Sequence, residues 1–438
     1  MSTLGIWMNG EPVGHWKVER GTSTLTYANE WLQSDKRRSL SLSLPITGAR
    51  VIRGQVVDNY FDNLLPDNDK IRERLSRRFG TRDADAFSLL EAIGRDCVGA
   101  VQLLPEGMAP QGWDRIEAEP LSARDVRKLL DAVPSETPLG QGVDDETLFR
   151  ISIAGAQEKT ALTRVGKRWC RPHGATPTTH IFKLPLGLVG GSRRVDLSDS
   201  VENEWLCGQL LRELGLPVAN TEMAEFDSRK VLIVERFDRA WMDGNTWIAR
   251  LPQEDFCQAL GRPAAKKYEK DGGPGMQACL KLLAGSSDAQ EDRTTFVLTQ
   301  LAFWLLAATD GHAKNFSIFL GAGDAYEMTP LYDVISVFPY VGDRADQFRW
   351  RTAGLAMALR SKNAHYALHT IQTRHWQALA MKNGGPAVWE AMQAMVQEAE
   401  AAIGRVEARL PGSFPEVTWE RIANGVRSQA RQFAVGLR

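Results

Sequence analysis

Apolar positions along the chain follow two rhythms, and the change from one to the other comes near residue 237. Before it, short period-two runs alternate with turn residues; after it, helical spacing dominates. Ile6-Trp7-Met8 and Val13-Gly14-His15-Trp16 flank Asn9-Gly10, so residues 5–18 are predicted to form a hairpin. Leu40, Leu42 and Leu44 alternate with Ser41 and Ser43, the pattern of a half-buried strand. Residues 61–65 and 87–93 read as short helical pieces, and 98–104 as a strand stopped by Pro105. Gly107, Pro110 and Gly112 mark a boundary. Ser122 with Asp125 three residues on resembles a helix start leading into 126–132. Strand candidates follow at 149–153, 160–163, 180–184 and 231–235, with one helix at 201–214 closed by Gly215. Val388, Met392, Met395, Ala399, Ile403, Val406 and Leu410 step by threes and fours, a helical face expected to pack on a core rather than on a coiled-coil partner.

These elements divide the chain into an α+β unit (1–105), a linker with a short helix (106–148), a strand-rich part (149–237) and a helical part (238–438). The length of 438 residues agrees with two to three domains. Net charge is −1, which excludes a chain that binds polyanions through its overall charge. It conceals a local bias. Residues 347–389 hold no acid but carry Arg349, Arg351, Arg360, Lys362, Arg374 and Lys382, and the chain from Arg421 onward is also acid-free. This is either a solvated face or a phosphate-contacting surface that works beside a DNA-binding partner. The five cysteines are odd in number and have no CxxC spacing, so neither a disulfide frame nor a zinc site is expected. The N-terminus lacks a basic segment followed by an apolar run. The most apolar stretch, 296–308, falls short of the roughly 20 residues that span a bilayer. A cytoplasmic protein without membrane association is expected.

Candidate chemistry concentrates in Thr309-Asp310-Gly311-His312-Ala313-Lys314-Asn315 and, further on, Asp333. An Asp, an Asn five positions later and a downstream Asp are the spacing of a kinase catalytic loop. The first carboxylate would orient and deprotonate an attacking hydroxyl. The amide oxygen and the second carboxylate suit Mg²⁺, a hard cation. Upstream, Ala154, Gly155, Ala156, Gln157, Glu158 and Lys159 form a small-residue turn whose backbone could approach phosphate oxygens. Lys183 sits inside an apolar strand, where it needs an anionic partner; a phosphate, or Glu202 or Glu204 on the following helix, would serve. The order of turn, strand lysine, helix glutamate, strand end at Glu235-Arg236-Phe237, then Asp310, Asn315 and Asp333 is that of a two-lobed kinase.

With these residues the runs at 61–67, 93–96, 154–160, 251–255, 271–275 and 309–317 resemble the HipA serine/threonine kinases, toxins of bacterial toxin–antitoxin pairs, with a close likeness to the founding enterobacterial toxin. The resemblance implies an α+β chain: a protein-kinase-like two-lobed fold with an additional N-terminal α+β subdomain and an all-helical C-lobe. It implies ATP and Mg²⁺ as cofactors, Asp310 as the catalytic base, and Asn315 and Asp333 as metal ligands. It implies ATP contacts from residues 154–159, Lys183, Glu235, Arg236, Phe237, His312, Lys314 and Asn315. Ser152 matches the serine that family members phosphorylate to switch themselves off. The implied partners are a helix-turn-helix antitoxin of HipB type, operator DNA through that antitoxin, and a translation component, glutamyl-tRNA synthetase, as substrate. Two alternatives remain open at this point: a small-molecule kinase with the same Asp–Asn–Asp arrangement, and a non-enzymatic corepressor scaffold. A phosphate on Ser152 adds roughly two negative charges beside the phosphate turn. We expect a mass shift on the Ser152 peptide after incubation with Mg-ATP; no shift, or one that persists in Asp310→Ala, rejects the idea.

Overall fold

A computed structural model describes residues 2–134, 157–189 and 194–437. The hairpin forms as the Asn9-Gly10 signal requires. Strands Ser2–Met8 and Glu11–Glu19 pair antiparallel, with both turn residues at positive φ, 46° and 81°. Thr22–Tyr27 and Val51–Arg53 extend this sheet on one side and Gln102–Pro105 on the other. Helices Gln55–Asp62, Asp69–Phe79 and Ala86–Ile93 accompany it. Trp16 stacks on Phe61 with ring centroids 3.9 Å apart, at the centre of a core drawn wholly from the first 103 residues.

A second sheet of six antiparallel strands follows, in the order Thr221–Phe226, Arg229–Glu235, His180–Lys183, Lys159–Val165, Arg168–Pro172, Ala118–Pro120. The last of these strands comes from the segment expected to be a linker. The helix after it, Ala123–Ala132, has the expected Ser122–Asp125 capping box and buries Val126 and Leu130 on Leu162 and Phe182. So residues 118–132 are built into the second body. Helix Ser200–Glu213 lies against the other face, and the chain leaves it through Gly215 at φ 84°.

The remainder packs around helix Ala289–Leu306 together with Thr373–Asn383, Pro386–Glu407 and Glu416–Val435. The periodic face at 388–406 is buried in this core, as its spacing predicts. Two expectations need correction. The C-lobe is not all-helical. It holds the hairpin Arg239–Met242/Trp247–Arg250, the three-stranded sheet Gln253–Asp255, Ser317–Leu320, Tyr326–Met328, and the hairpin Gly354–Arg360/Ala364–Ala367. Most of these strands have three or four residues, too short for a period-two signal, and Gln253–Asp255 and the middle of Gly354–Arg360 are buried on both faces, so they do not alternate. Residues 40–44 form no strand. Their serines are not a solvent face: Ser41 and Ser43 both donate to the Gln258 carbonyl, and the Leu42 N–H donates to the buried Glu254 carboxylate at 2.9 Å.

That last contact belongs to a wider set of polar bonds joining the N-terminal unit to the rest. Asp96 accepts from Arg236, Arg239 and Arg250, whose side chains are 1–2% exposed. Asp238 binds Arg236 and Arg239 from the other side. Three guanidinium groups face two carboxylates, and the carbonyls of Cys97, Gly99 and Ala175 take further N–H groups. Burial alone would raise the Asp96 carboxyl, but the three arginines hold it far below the usual range. Removing one partner of such a buried set typically costs about 3–5 kcal/mol. We expect Asp96→Ala to lose stability of that order in urea denaturation, whereas Arg115→Ala, which breaks an exposed pair with Glu117, changes little.

Candidate active site

One cleft, at the junction of the two sheets and the helical part, gathers most of the residues singled out in the sequence. Gln157, Lys159, Lys183, Glu235, Arg236, Phe237, Asp310, His312, Lys314, Asn315 and Asp333 all line it. Glu158 does not: its carboxylate turns to Arg74 of the N-terminal unit at 2.5 Å, and only its backbone faces the sheet, accepting from Leu184. Ser152, Ala154, Gly155 and Ala156 lie outside the described residues.

Lys183 resolves the choice between the two helix glutamates. Its ammonium is 2.6 Å from Glu204 and 2.8 Å from Asp333, whereas Glu202 is taken by Lys230. Burial would strip the Lys183 proton, but Asp333 and Glu204 more than reverse this and keep it charged. Asp333 in turn is held well below the usual carboxylate range: burial raises it, and Lys183 and then Lys159 lower it further. Asp333 also adopts φ 60°, in a region that non-glycine residues rarely occupy and that clusters at functional sites.

The 310–315 loop follows helix Ala289–Leu306, which ends at Ala307 in the left-handed conformation. Gly311 is required by contact rather than by φ, since a Cβ there would come within 2.4 Å of the Phe303 ring. The loop closes on itself: His312 N–H donates to the Asp310 carbonyl at 2.8 Å, and Asn315 Nδ2 to the same carbonyl at 2.7 Å. That use of the amide nitrogen leaves the Asn315 oxygen as its group for a cation. The Asp310 side chain is 59% exposed at the cleft mouth and accepts from the Tyr268 hydroxyl. Crowding by protein lifts its carboxyl above the usual range, Tyr268 lowers it in part, and Asp333 raises it again. His312 is driven down to about 3 by burial and by Lys267, so it is neutral near pH 7.

Lys314 and Arg236 turn away from the open cleft. Lys314 uses all three N–H bonds inside the protein, to the Asn63 carbonyl at 3.0 Å, Asn63 Oδ1 at 2.7 Å and Asp255 Oδ2 at 2.9 Å. The Arg236 side chain is held in the Asp96 cluster and its backbone N–H donates to the Thr179 carbonyl at 2.9 Å. The next residue, Phe237, has no backbone partner for its N–H among the described residues.

Several cleft residues were not singled out from sequence for the site. Asn63, Asp67 and Val98 reach it from the N-terminal unit, and Gln253, Asp255 and Lys267 from the body. Asn63 inside the apolar run 60–65 was the available signal, a polar group where only a buried role makes sense.

The donors fit a nucleotide with its metal. Asp67 Oδ1, Gln253 Oε1 and His312 Nδ1 are buried in or beside the cleft without a hydrogen-bond partner among the described residues. No group of three or more His, Cys, Asp or Glu is arranged around a metal position among them. That suits Mg²⁺, which is bound through one or two carboxylates plus substrate phosphates rather than in an all-protein cage.

Residues 4–104 match the HipA N-terminal domain and residues 151–408 the HipA-like C-terminal domain. A putative kinase of Sinorhizobium fredii, Y4mE, is 34% identical over 77% of this chain and 78% of its own. The serine/threonine-protein kinase toxin HipA of Shewanella oneidensis is 30% identical over 73% of this chain and 71% of its own. Among solved structures, the Shewanella HipA, HipB and operator DNA complex matches with a TM-score of 0.78 and 25% identity, covering 99% of this chain and 97% of that one.

Lys159 gives the cleft a pH response. Burial pushes its ammonium down to about 8, against the attraction of Asp333. It is charged below that pH and neutral above it. Phosphate ligands should therefore bind more weakly as pH rises through about 8, as calorimetric titration of ADP from pH 7 to 9 would show. Stability runs the other way. An unfolded lysine titrates near 10.5, so the burial cost is full below about 8 and is relieved towards 10.5. An ADP affinity unchanged across pH 7–9 would remove Lys159 from the phosphate site.

Proposed function

Since the chain belongs to the HipA family of serine/threonine-protein kinase toxins, we propose that the cleft binds ATP with Mg²⁺ and transfers its γ-phosphoryl group to a protein hydroxyl. The observation that carries this reading is the chain of charges from Glu204 through Lys183 to Asp333, with Asp310 and Asn315 beside it. A lysine held between a helix glutamate and a metal-side aspartate is the arrangement an active kinase needs.

The roles follow from position. Lys183 and Lys159 receive phosphate oxygens. The backbone at 235–237 meets the base, and the 154–159 turn covers the phosphates. Asn315 Oδ1 and Asp333 would hold Mg²⁺, which when bound neutralises charge on the β- and γ-phosphate oxygens. Asp310 orients the acceptor hydroxyl and takes its proton as the oxygen bonds to the γ-phosphorus and the bond to the bridging oxygen of ADP breaks. His312, neutral and buried, shapes the loop next to it without adding charge.

Beyond the reaction we assign by family resemblance a translation component, glutamyl-tRNA synthetase, as substrate, and self-inactivation by phosphorylation of Ser152. A helix-turn-helix antitoxin of HipB type and operator DNA are the partners. Support for the partners is the Shewanella structure, which contains HipB and operator DNA. No helix among the described residues is long and apolar enough to cross a membrane, in keeping with a cytoplasmic place of action.

Removing a general base typically costs about 10²–10⁴-fold in rate. With radiolabelled ATP and a cell lysate, we expect the protein to label a protein band, Asp310→Asn to lose that label by such a factor, and nucleotide binding by the variant to persist. Label found only in small metabolites would favour a small-molecule kinase. Toxicity on expression that is equal in Asp310→Asn would favour a scaffold.

A further inference from the structure

A second cavity opens on the other side of Asp310. Tyr268, Lys270 and Thr309 line one wall, and Val337, Phe348 and Ala353 the other. Asp310 is the one described residue that lines both this cavity and the nucleotide cleft. Phosphoryl transfer needs the acceptor oxygen roughly in line with the leaving oxygen, so the acceptor enters from the side the nucleotide does not fill. A groove whose only shared wall with the nucleotide cleft is the proposed base meets that requirement.

The lining also says what the groove would hold. At its rim Lys270 and Asp271 are both exposed and cancel in charge, so the rim selects neither acidic nor basic segments. The far wall is apolar and partly open, with Val337, Phe348 and Ala353 neither buried nor fully exposed. The neighbouring loop is fixed. Glu269 accepts from the Ala358 N–H at 2.7 Å and pairs with Arg360, which ties residues 269–271 to the strand Gly354–Arg360. Inside the groove the Tyr268 hydroxyl donates to the Asp310 carboxylate, and its ring stands edge-on to His312 with centroids 4.8 Å apart. A hydroxyl therefore already occupies one oxygen of the carboxylate that a substrate hydroxyl must reach.

We propose that this groove takes the serine- or threonine-bearing segment of the protein substrate, with an apolar side chain next to the phosphoacceptor packed on Val337, Phe348 and Ala353. Tyr268 is then a positioning residue. It holds Asp310 in place while the groove is empty and yields to the acceptor hydroxyl when the segment binds. The inference rests on the kinase reading of the cleft.

The test uses the full chain, radiolabelled ATP, and peptides carrying one serine in an alanine–glycine background with Leu, Asp or Lys at each flanking position. Leu at one flanking position should raise kcat/KM at least tenfold over Asp or Lys there. Ala353→Asp should abolish that preference and turn it towards Lys, while KM for ATP changes less than twofold. A gain on the Lys peptide is not something a misfolded variant can give. Tyr268→Phe should lower peptide KM at least threefold. It should leave KM for ATP within twofold of wild type, since Tyr268 lines only the groove. Peptide labelling without any flanking preference, or an Ala353→Asp preference unchanged from wild type, overturns the groove. An unchanged peptide KM in Tyr268→Phe overturns the placeholder. If ATP binds but neither peptides nor lysate proteins are labelled, the kinase reading itself fails, and this inference with it.

Discussion

Buried charge does much to join the parts of this molecule. The buried apolar core of the N-terminal unit and the large core of the C-terminal body have no residue in common, and Leu42 of the N-terminal unit packs against the latter. Between them lie the Asp96 cluster, the Lys314 bonds to Asn63 and Asp255, and the Lys267–Asp67 pair at 2.7 Å. Such contacts tolerate little displacement, because an ion pulled from its partner in a dry site loses several kcal/mol. The cleft is built on this seam. Asn63, Asp67 and Val98 line it, the segment 235–237 is anchored through the Arg236 side chain, and its loop is pinned through Lys314.

The same economy of charge explains how the site is tuned. Lys183 faces two anions, and Lys314 faces an anion and a carbonyl. The atoms of Asp67, Gln253 and His312 that lack a hydrogen-bond partner among the described residues lie in or beside the same cleft as Asp310 and Asn315. Asp333 completes the picture, with backbone strain where its carboxylate meets Lys183.

Much of this was legible in the sequence, for stated reasons. Lys183 stood out because a charge inside an apolar strand demands a partner, and Asp310, Asn315 and Asp333 because loop spacing survives any change of packing. Asn9-Gly10 and the Ser122–Asp125 cap were legible because the interactions are local. What depended on distant contacts was not. Leu40 to Leu44 looks like a strand until Ser41 and Ser43 are seen to bond Gln258, more than two hundred positions away. The short strands of the C-terminal body carry no rhythm long enough to detect. Glu158 sits within a recognisable motif yet spends its charge on Arg74, and Lys314 spends its three N–H bonds on Asn63 and Asp255. Tyr268 carries no pattern at all and is placed by the fold alone.

The Lys314 bonds bear on how the protein is made. A ribosome releases the N-terminal unit first, and its core closes without help from later residues. Asn63, Asp67 and Asp96 then wait, hydrated, for cations that arrive only with Arg236, Lys267 and Lys314. The cleft lacks Asp333, the carboxylate that meets Lys183, until that residue is translated, and the large core lacks its last helix until Glu416–Val435 follows. Chains that stop before Asp333 are thus incomplete at the cleft itself. For a kinase of a toxin family, this ties a complete site to translation well into the C-terminal body.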